Sequence, residues 1–174
     1  MKLVKSQKEH FPSAVLIGKE YGESDRENGG FGAKWMEWFQ KGYFAELDKL
    51  NETDIGGGDF GFMTVGGDGE FKYWIGRLYS PETSVPNGYS AIDLPESDTF
   101  ISWVYGSEKT GEIFGETVHY AVITALGDAG YEIREDCFPN APSLAYCFER
   151  YVCPRYTTPD AEGNVILDYG FYID

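Results

Sequence analysis

A single carboxylate set among aromatic rings is the feature of this sequence best suited to chemistry. In Leu144 to Tyr151, LAYCFERY, the alternation of a strand puts Leu144, Tyr146 and Phe148 on one face. Ala145, Cys147, Glu149 and Tyr151 fall on the other. Glu149 then stands in an aromatic segment with no Lys beside it and with Arg150 on the opposite face. A carboxylate so placed is costly to bury unless a cation or a hydrogen-bond donor meets it, and perturbed carboxylates gather at functional sites. Two readings stay open. Glu149 is a rim residue, solvated or paired with one of the chain's own bases, or it is a lone acid at the bottom of an aromatic cup that takes a positively charged guest.

Other chemistries find little support. There is no Ser/His/Asp or Cys/His arrangement for acyl transfer. His10 and His119 are far apart, and Cys137, Cys147 and Cys153 lack metal-type spacing. Reduced thiols in a cytosolic protein are the expectation. The run Ile55-Gly-Gly-Gly-Asp59 lacks the Lys-Ser/Thr ending of a phosphate loop and precedes a strand instead of a helix. No cofactor or metal is expected.

Composition narrows the partners. The chain carries 29 acids against 14 bases, a net charge of −15, which argues against direct nucleic-acid binding and against an anionic membrane. A field of this sign serves solubility and also draws cationic ligands. Aromatic content is 17%, with 13 Tyr, 12 Phe and 4 Trp. So many rings exceed the need of one small core, so some are expected to line a surface or cavity. No apolar run is long enough to span a bilayer and no apolar leader follows Met1. A cytoplasmic location is expected.

The elements that must position Glu149 read as one domain over 1–174 with two similar halves, about residues 12–80 and 88–174. The first half has a strand at Ser13–Tyr21 and a helix bearing Phe31, Trp35, Trp38 and Phe39 on one face. After an interruption at Gly42 a helical pattern resumes over Tyr43–Leu50. Strands at Phe60–Val65 and Glu70–Tyr79 follow, joined by the turn Gly66-Gly67-Asp68-Gly69. The second half repeats the order. Strands at Gly88–Leu94 and Thr99–Tyr105 lead to an apolar stripe from Phe114 to Ala129, ended by Gly130. Arg134–Ser143 is a loop, and the Glu149 strand and a last strand, Asn164–Ile173, close the chain. His119 lies just off the helical stripe and reads as a satisfied or exposed histidine. Tyr73-Trp74-Ile75 and Phe171-Tyr172-Ile173 echo each other at the ends of the halves. If helices cover the Tyr73/Ile75 and Phe171/Ile173 faces, Trp74 and Tyr172 point the other way and meet across a pseudo-twofold axis, with Glu149 on a neighbouring strand.

The order of elements, with YWIGRLYS, GYSAIDLPESDTFISWVYG, AGYEI, CFERY and DYGFYI, resembles the GyrI-like (gyrase-inhibitor-like) small-molecule-binding domain, in its stand-alone form, over roughly Pro12–Ile173. This domain is the effector-binding half of AraC- and MerR-type transcription regulators. The resemblance implies an α+β fold in which two strand-helix-strand-strand repeats form an antiparallel sheet groove with helices packed on it. It also implies that Glu149, by its position in CFERY, is the buried acid that meets lipophilic cations among rings. The long segment Val152–Asn164 departs from the family's short hairpin and is placed to cap or reshape the pocket. No helix-turn-helix module resembles any part of the chain, so a link to transcription would run through a partner.

The leading expectation is therefore a binding module for hydrophobic, cationic or aromatic small molecules. Glu149 is its anchor and Trp74, Trp103, Tyr105, Tyr151 and Tyr172 are its walls. Trp103 and Tyr105 are chosen because they share one face of their strand. A second expectation, a hydrolase of strained cyclopropane-containing molecules, uses the same Glu as general acid or base. A third is an acidic protein-interaction module of gyrase-inhibitor type, which the charge permits.

Overall fold

The computed structural model describes residues 1–50, 54–65, 69–134 and 147–174. Eight strands form one antiparallel sheet: β1 Lys2–Phe11, β2 Ala14–Gly22, β3 Asp59–Val65, β4 Phe71–Tyr79, β5 Ser90–Leu94, β6 Ser97–Gly106, β7 Cys147–Tyr151 and β8 Val165–Ile173. The helices are α1 Gly32–Lys41, α2 Tyr43–Leu47 and α3 Glu116–Asp128. The fold is α+β with helices on a sheet groove, as the sequence suggests. The expected turn at 66–68, the loop over 135–143 and the first residues of the expected Glu149 strand, 144–146, lie outside the described residues.

Local signals account for the helices. Gly42 stops α1 with φ 68°, a left-handed conformation that costs a glycine nothing. Trp38 is fully buried and donates its indole N–H to Tyr21 Oη at 2.8 Å, which meets the need of a buried Trp for an acceptor. Val118, Val122 and Leu126 recur at helical spacing and are the buried residues of α3.

The strand order is β1-β6-β8-β7-β3-β4-β2-β5, and its registers reveal the symmetry. A twofold through the Gly61–Glu149 pair of β3 and β7 carries Ile75 onto Tyr169, the Phe60–Gly76 pair onto Phe148–Gly170, and Ala14–Leu94 onto Ser97–Phe11. The echo in the sequence, Tyr73-Trp74-Ile75 with Phe171-Tyr172-Ile173, is out of step with this register. Rings and branched side chains recur at alternate positions of any buried strand, so likeness of type does not fix the phase.

Two short links force the sheet to curl. Only Pro12 and Ser13 join β1 to β2, which stand six strand steps apart in the sheet. Flat, those strands would lie about 29 Å apart, whereas the link spans at most about 11 Å. Pro95 and Glu96 impose the same closure between β5 and β6. The two corners tuck their side chains inside the curl. Phe11 stacks on Phe148 with ring centroids 5.4 Å apart and meets Phe60 and Tyr172 edge-on, and Leu94 joins the same cluster.

The strand β1 lies ahead of Ser13–Tyr21, the first strand expected from the sequence. Its sequence, KLVKSQKEHF, carries charged residues on both faces. An edge strand hydrogen-bonded, among the described strands, only to β6 is allowed such residues and shows no apolar alternation.

Candidate functional site

The sheet has two different faces. The outer face carries the helical layers. α1 and α2 cover Val15, Ile17, Tyr73, Ile75 and Tyr79, and α3 covers Phe100, Val104, Leu167, Tyr169 and Phe171. Between them runs the strip of β3 and β7 that crosses the twofold axis, with Glu149 on its floor. Cross-strand pairing sets Glu149 beside Gly61 on one side and Tyr169 on the other.

Glu149 is 8% exposed. Tyr73 Oη and Tyr151 Oη each donate to its Oε2 at 2.8 Å. Among the described residues no Lys, Arg or His meets the carboxylate, and no hydrogen bond reaches Oε1. Burial raises the Glu149 pKa, and the two tyrosine hydrogen bonds oppose that rise only in part. The rim reading therefore fails: the acid is enclosed, and no base among the described residues pairs with it.

The surrounding side chains form a cup. The Trp35 indole N–H donates to Tyr73 Oη at 3.0 Å, and the Trp35 ring centroid lies 4.4 Å from that of Tyr151. Tyr156, from the long β7–β8 connection, packs at right angles to Tyr151 with centroids 4.6 Å apart and donates to Glu108 at 2.9 Å. The connection thus caps this end of the strip. On the α3 side, His119 Nδ1 lies 2.9 Å from Tyr169 Oη, and burial lowers its pKa. Cys147 Sγ lies 3.8 Å from Met63 Sδ. Burial pushes the Cys147 thiol up to about 12, so it is no nucleophile at neutral pH.

Gly61 makes the arrangement possible. A Cβ at this position would fall 2.1 Å from Tyr73 Oη and 3.0 Å from Glu149 Oε2. The absent side chain is the opening through which Tyr73, two strands away, reaches the acid.

Of the six site residues expected from sequence, the structure brings together Glu149 and Tyr151. Trp74 and Tyr172 do share a cluster, but inside the curl with Phe11, Phe62 and Phe148, on the face away from Glu149. Trp103 and Tyr105 also lie on that inner face, toward the β1 edge, paired with Asp168 and Ile166 of β8. The face of Trp74 was assigned correctly, but Glu149 shares the helix-covered face with Tyr73 and was grouped with the wrong rings. Strand parity of Tyr73 relative to Gly61 and Glu149 would have separated them, had the register been known.

Sequence reasoning also missed Trp35, which it set on the same helical face as Trp38. Trp35 is half-buried and leans over Tyr151. Its position three residues before Trp38 gave no sign of this, because both rings follow the helical stripe.

No family model and no curated protein matches the chain. Similar structures exist. One, from Staphylococcus aureus MU50 and provisionally described as a bacterial transcription regulation protein, is 19% identical. It has a TM-score of 0.63 over 98% of each chain. SAV2435 bound to tetraphenylphosphonium is 17% identical, with a TM-score of 0.69 over 98% of this chain and 94% of that one. A hydrolase encoded by lin2189 from Listeria innocua is 14% identical, with a TM-score of 0.50 over 98% and 92%. These likenesses show that the chain shares their fold.

Proposed function

We propose that the chain binds lipophilic cations in the strip between α1 and α3. Glu149 supplies the charge, and Tyr73, Tyr151, Trp35 and Tyr169 supply the ring surfaces. The observation that carries this reading is a buried carboxylate held by two phenols and, among the described residues, by no cation. An ion pair would leave nothing for a guest, whereas phenol donors stabilise the carboxylate without cancelling its charge. A bound cation adds the missing charge and meets ring faces that favour it. The net charge of −15 draws cations toward the surface. SAV2435, of the same fold, is bound to tetraphenylphosphonium. Trp74, Trp103, Tyr105 and Tyr172 have no part in this site.

The test is a tryptophan-fluorescence titration with tetraphenylphosphonium, for which Trp35 is the reporter. Saturable quenching should weaken by at least about tenfold in Glu149→Gln, the loss expected for one charge-assisted contact. Equal affinity in the two proteins would remove Glu149 as the anchor.

A second reading uses the same acid. The raised Glu149 pKa suits a general acid or base toward a bound reactive molecule, and a hydrolase shares the fold. Product analysis after incubation with a strained cyclopropane compound separates turnover from binding.

A further inference from the structure

Trp103 and Tyr105 stand next to each other on the inner face of β6, about 7 Å apart along the strand, and each is roofed by a lysine. Lys5 Nζ lies 4.6 Å from the Trp103 ring centroid, and Lys2 Nζ lies 5.0 Å from that of Tyr105. The Arg155 guanidinium lies 4.7 Å from the Trp103 ring. On a chain with twice as many acids as bases, three cations gathered on two adjacent rings call for a reason.

Nearby acids supply it for Arg155 alone, through Asp168, and are otherwise engaged. Asp168, fully buried, accepts from Arg150 at 2.9 Å and from Arg155 at 3.0 Å. Glu9 accepts from Arg150 at 3.0 Å. Asp160 accepts from Tyr105 Oη at 2.6 Å. Among the described residues neither Lys2 nor Lys5 has an acidic partner. The indole N–H of Trp103 is buried and lacks an acceptor among them. A buried donor without an acceptor is a cost that native structures seldom leave standing. Lysines on an edge strand also discourage strand addition, and Lys2 and Lys5 are exposed enough to do so, but that role leaves the Trp103 N–H without an acceptor.

We propose that Lys2, Lys5 and the Trp103 indole form a second ligand site, on the opposite face of the sheet from Glu149, for a small organic oxyanion such as a carboxylate or a phosphate monoester. The anion's oxygens supply the acceptor that Trp103 lacks and the negative charge that Lys5 lacks. Arg155 is held in place by Asp168, so the cationic wall is fixed before the ligand arrives. Lys2 and Tyr105 also border a cleft of about 270 Å³ with Asn164 and Glu112, room for the body of a small molecule. Glu112 there already accepts from the Ser107 N–H at 2.8 Å. The site is independent of cation binding: it uses no residue of the Glu149 strip.

The experiment is a ¹⁵N–¹H titration of the Trp103 indole resonance, assigned with Trp103→Phe. Inorganic phosphate and benzoate are added separately at constant ionic strength. The site requires a saturable shift with at least one anion, weakened about tenfold or more in Lys5→Gln and unchanged in Glu149→Gln. Lys2→Gln serves as the second variant should Lys5→Gln lose its native spectrum. A response to phosphate alone assigns phosphate monoesters, to benzoate alone carboxylates, and to both a general oxyanion site. Shifts that rise linearly without saturation, or equal affinity in wild type and Lys5→Gln, overturn the proposal.

Discussion

At neutral pH the Glu149 carboxylate is caught between burial, which favours its proton, and two phenol donors, which favour its charge. Burial is the larger effect, so its pKa in the folded chain lies above the unfolded value. The sign follows from linkage: stability from this group is complete below the unfolded pKa and is lost as pH rises through the folded one. Glu149→Gln should therefore stabilise the apo protein at pH 7.5 and raise its Tm. The gain should vanish near pH 4, where wild-type Glu149 is protonated. Scanning calorimetry at the two pH values checks both parts. Gly61→Ala acts at the same point by steric means. Its methyl would enter the space of Tyr73 Oη, with an expected cost of about 1–3 kcal/mol, read by urea denaturation, together with loss of tetraphenylphosphonium affinity. Glu149 and Tyr151 were legible because strand parity puts both on one face of CFERY. Tyr73 and Gly61 were not, since their approach depends on the pairing of β3 with β7, across 76 residues of chain from Tyr73 to Glu149.

Among the elements, the two-residue links set the shape. They hold β1 and β5 at opposite edges while joining them to strands at the far side, and Phe11 and Leu94 fill the resulting curl. Phe11→Ala removes a 6%-exposed ring from between Phe60, Phe148 and Tyr172, so it should cost about 3–5 kcal/mol in equilibrium unfolding. A cost near zero would mean that the curl closes without this corner. The strands β2 to β8 and the helices were legible, because their apolar residues recur with the period of each element. The strand β1 was hidden by its polar residues on both faces. The grouping of Trp74 and Tyr172 with Glu149 failed for a related reason. Both faces of this sheet are aromatic, the outer against helices and the inner against its own corners, so ring content alone does not tell which face holds the acid.

For the whole molecule, charge and symmetry act together. A twofold through Gly61 and Glu149 makes the two halves meet at one place, and only one half contributes an acid there. The surrounding charge of −15 should speed cation arrival in a salt-dependent way. Raising ionic strength from about 0.01 to 0.15 M shortens the screening length from about 30 to 8 Å. The tetraphenylphosphonium association rate in stopped flow should fall, with dissociation little changed. The central claim, that Glu149 is the charge a cation meets, is tested most directly by its carboxyl ¹³C shift as a function of pH, with and without saturating tetraphenylphosphonium. Free protein should titrate above the ordinary glutamate value, and the bound cation should pull that pKa down. A Glu149 pKa that stays where it was while tetraphenylphosphonium is bound would contradict the account.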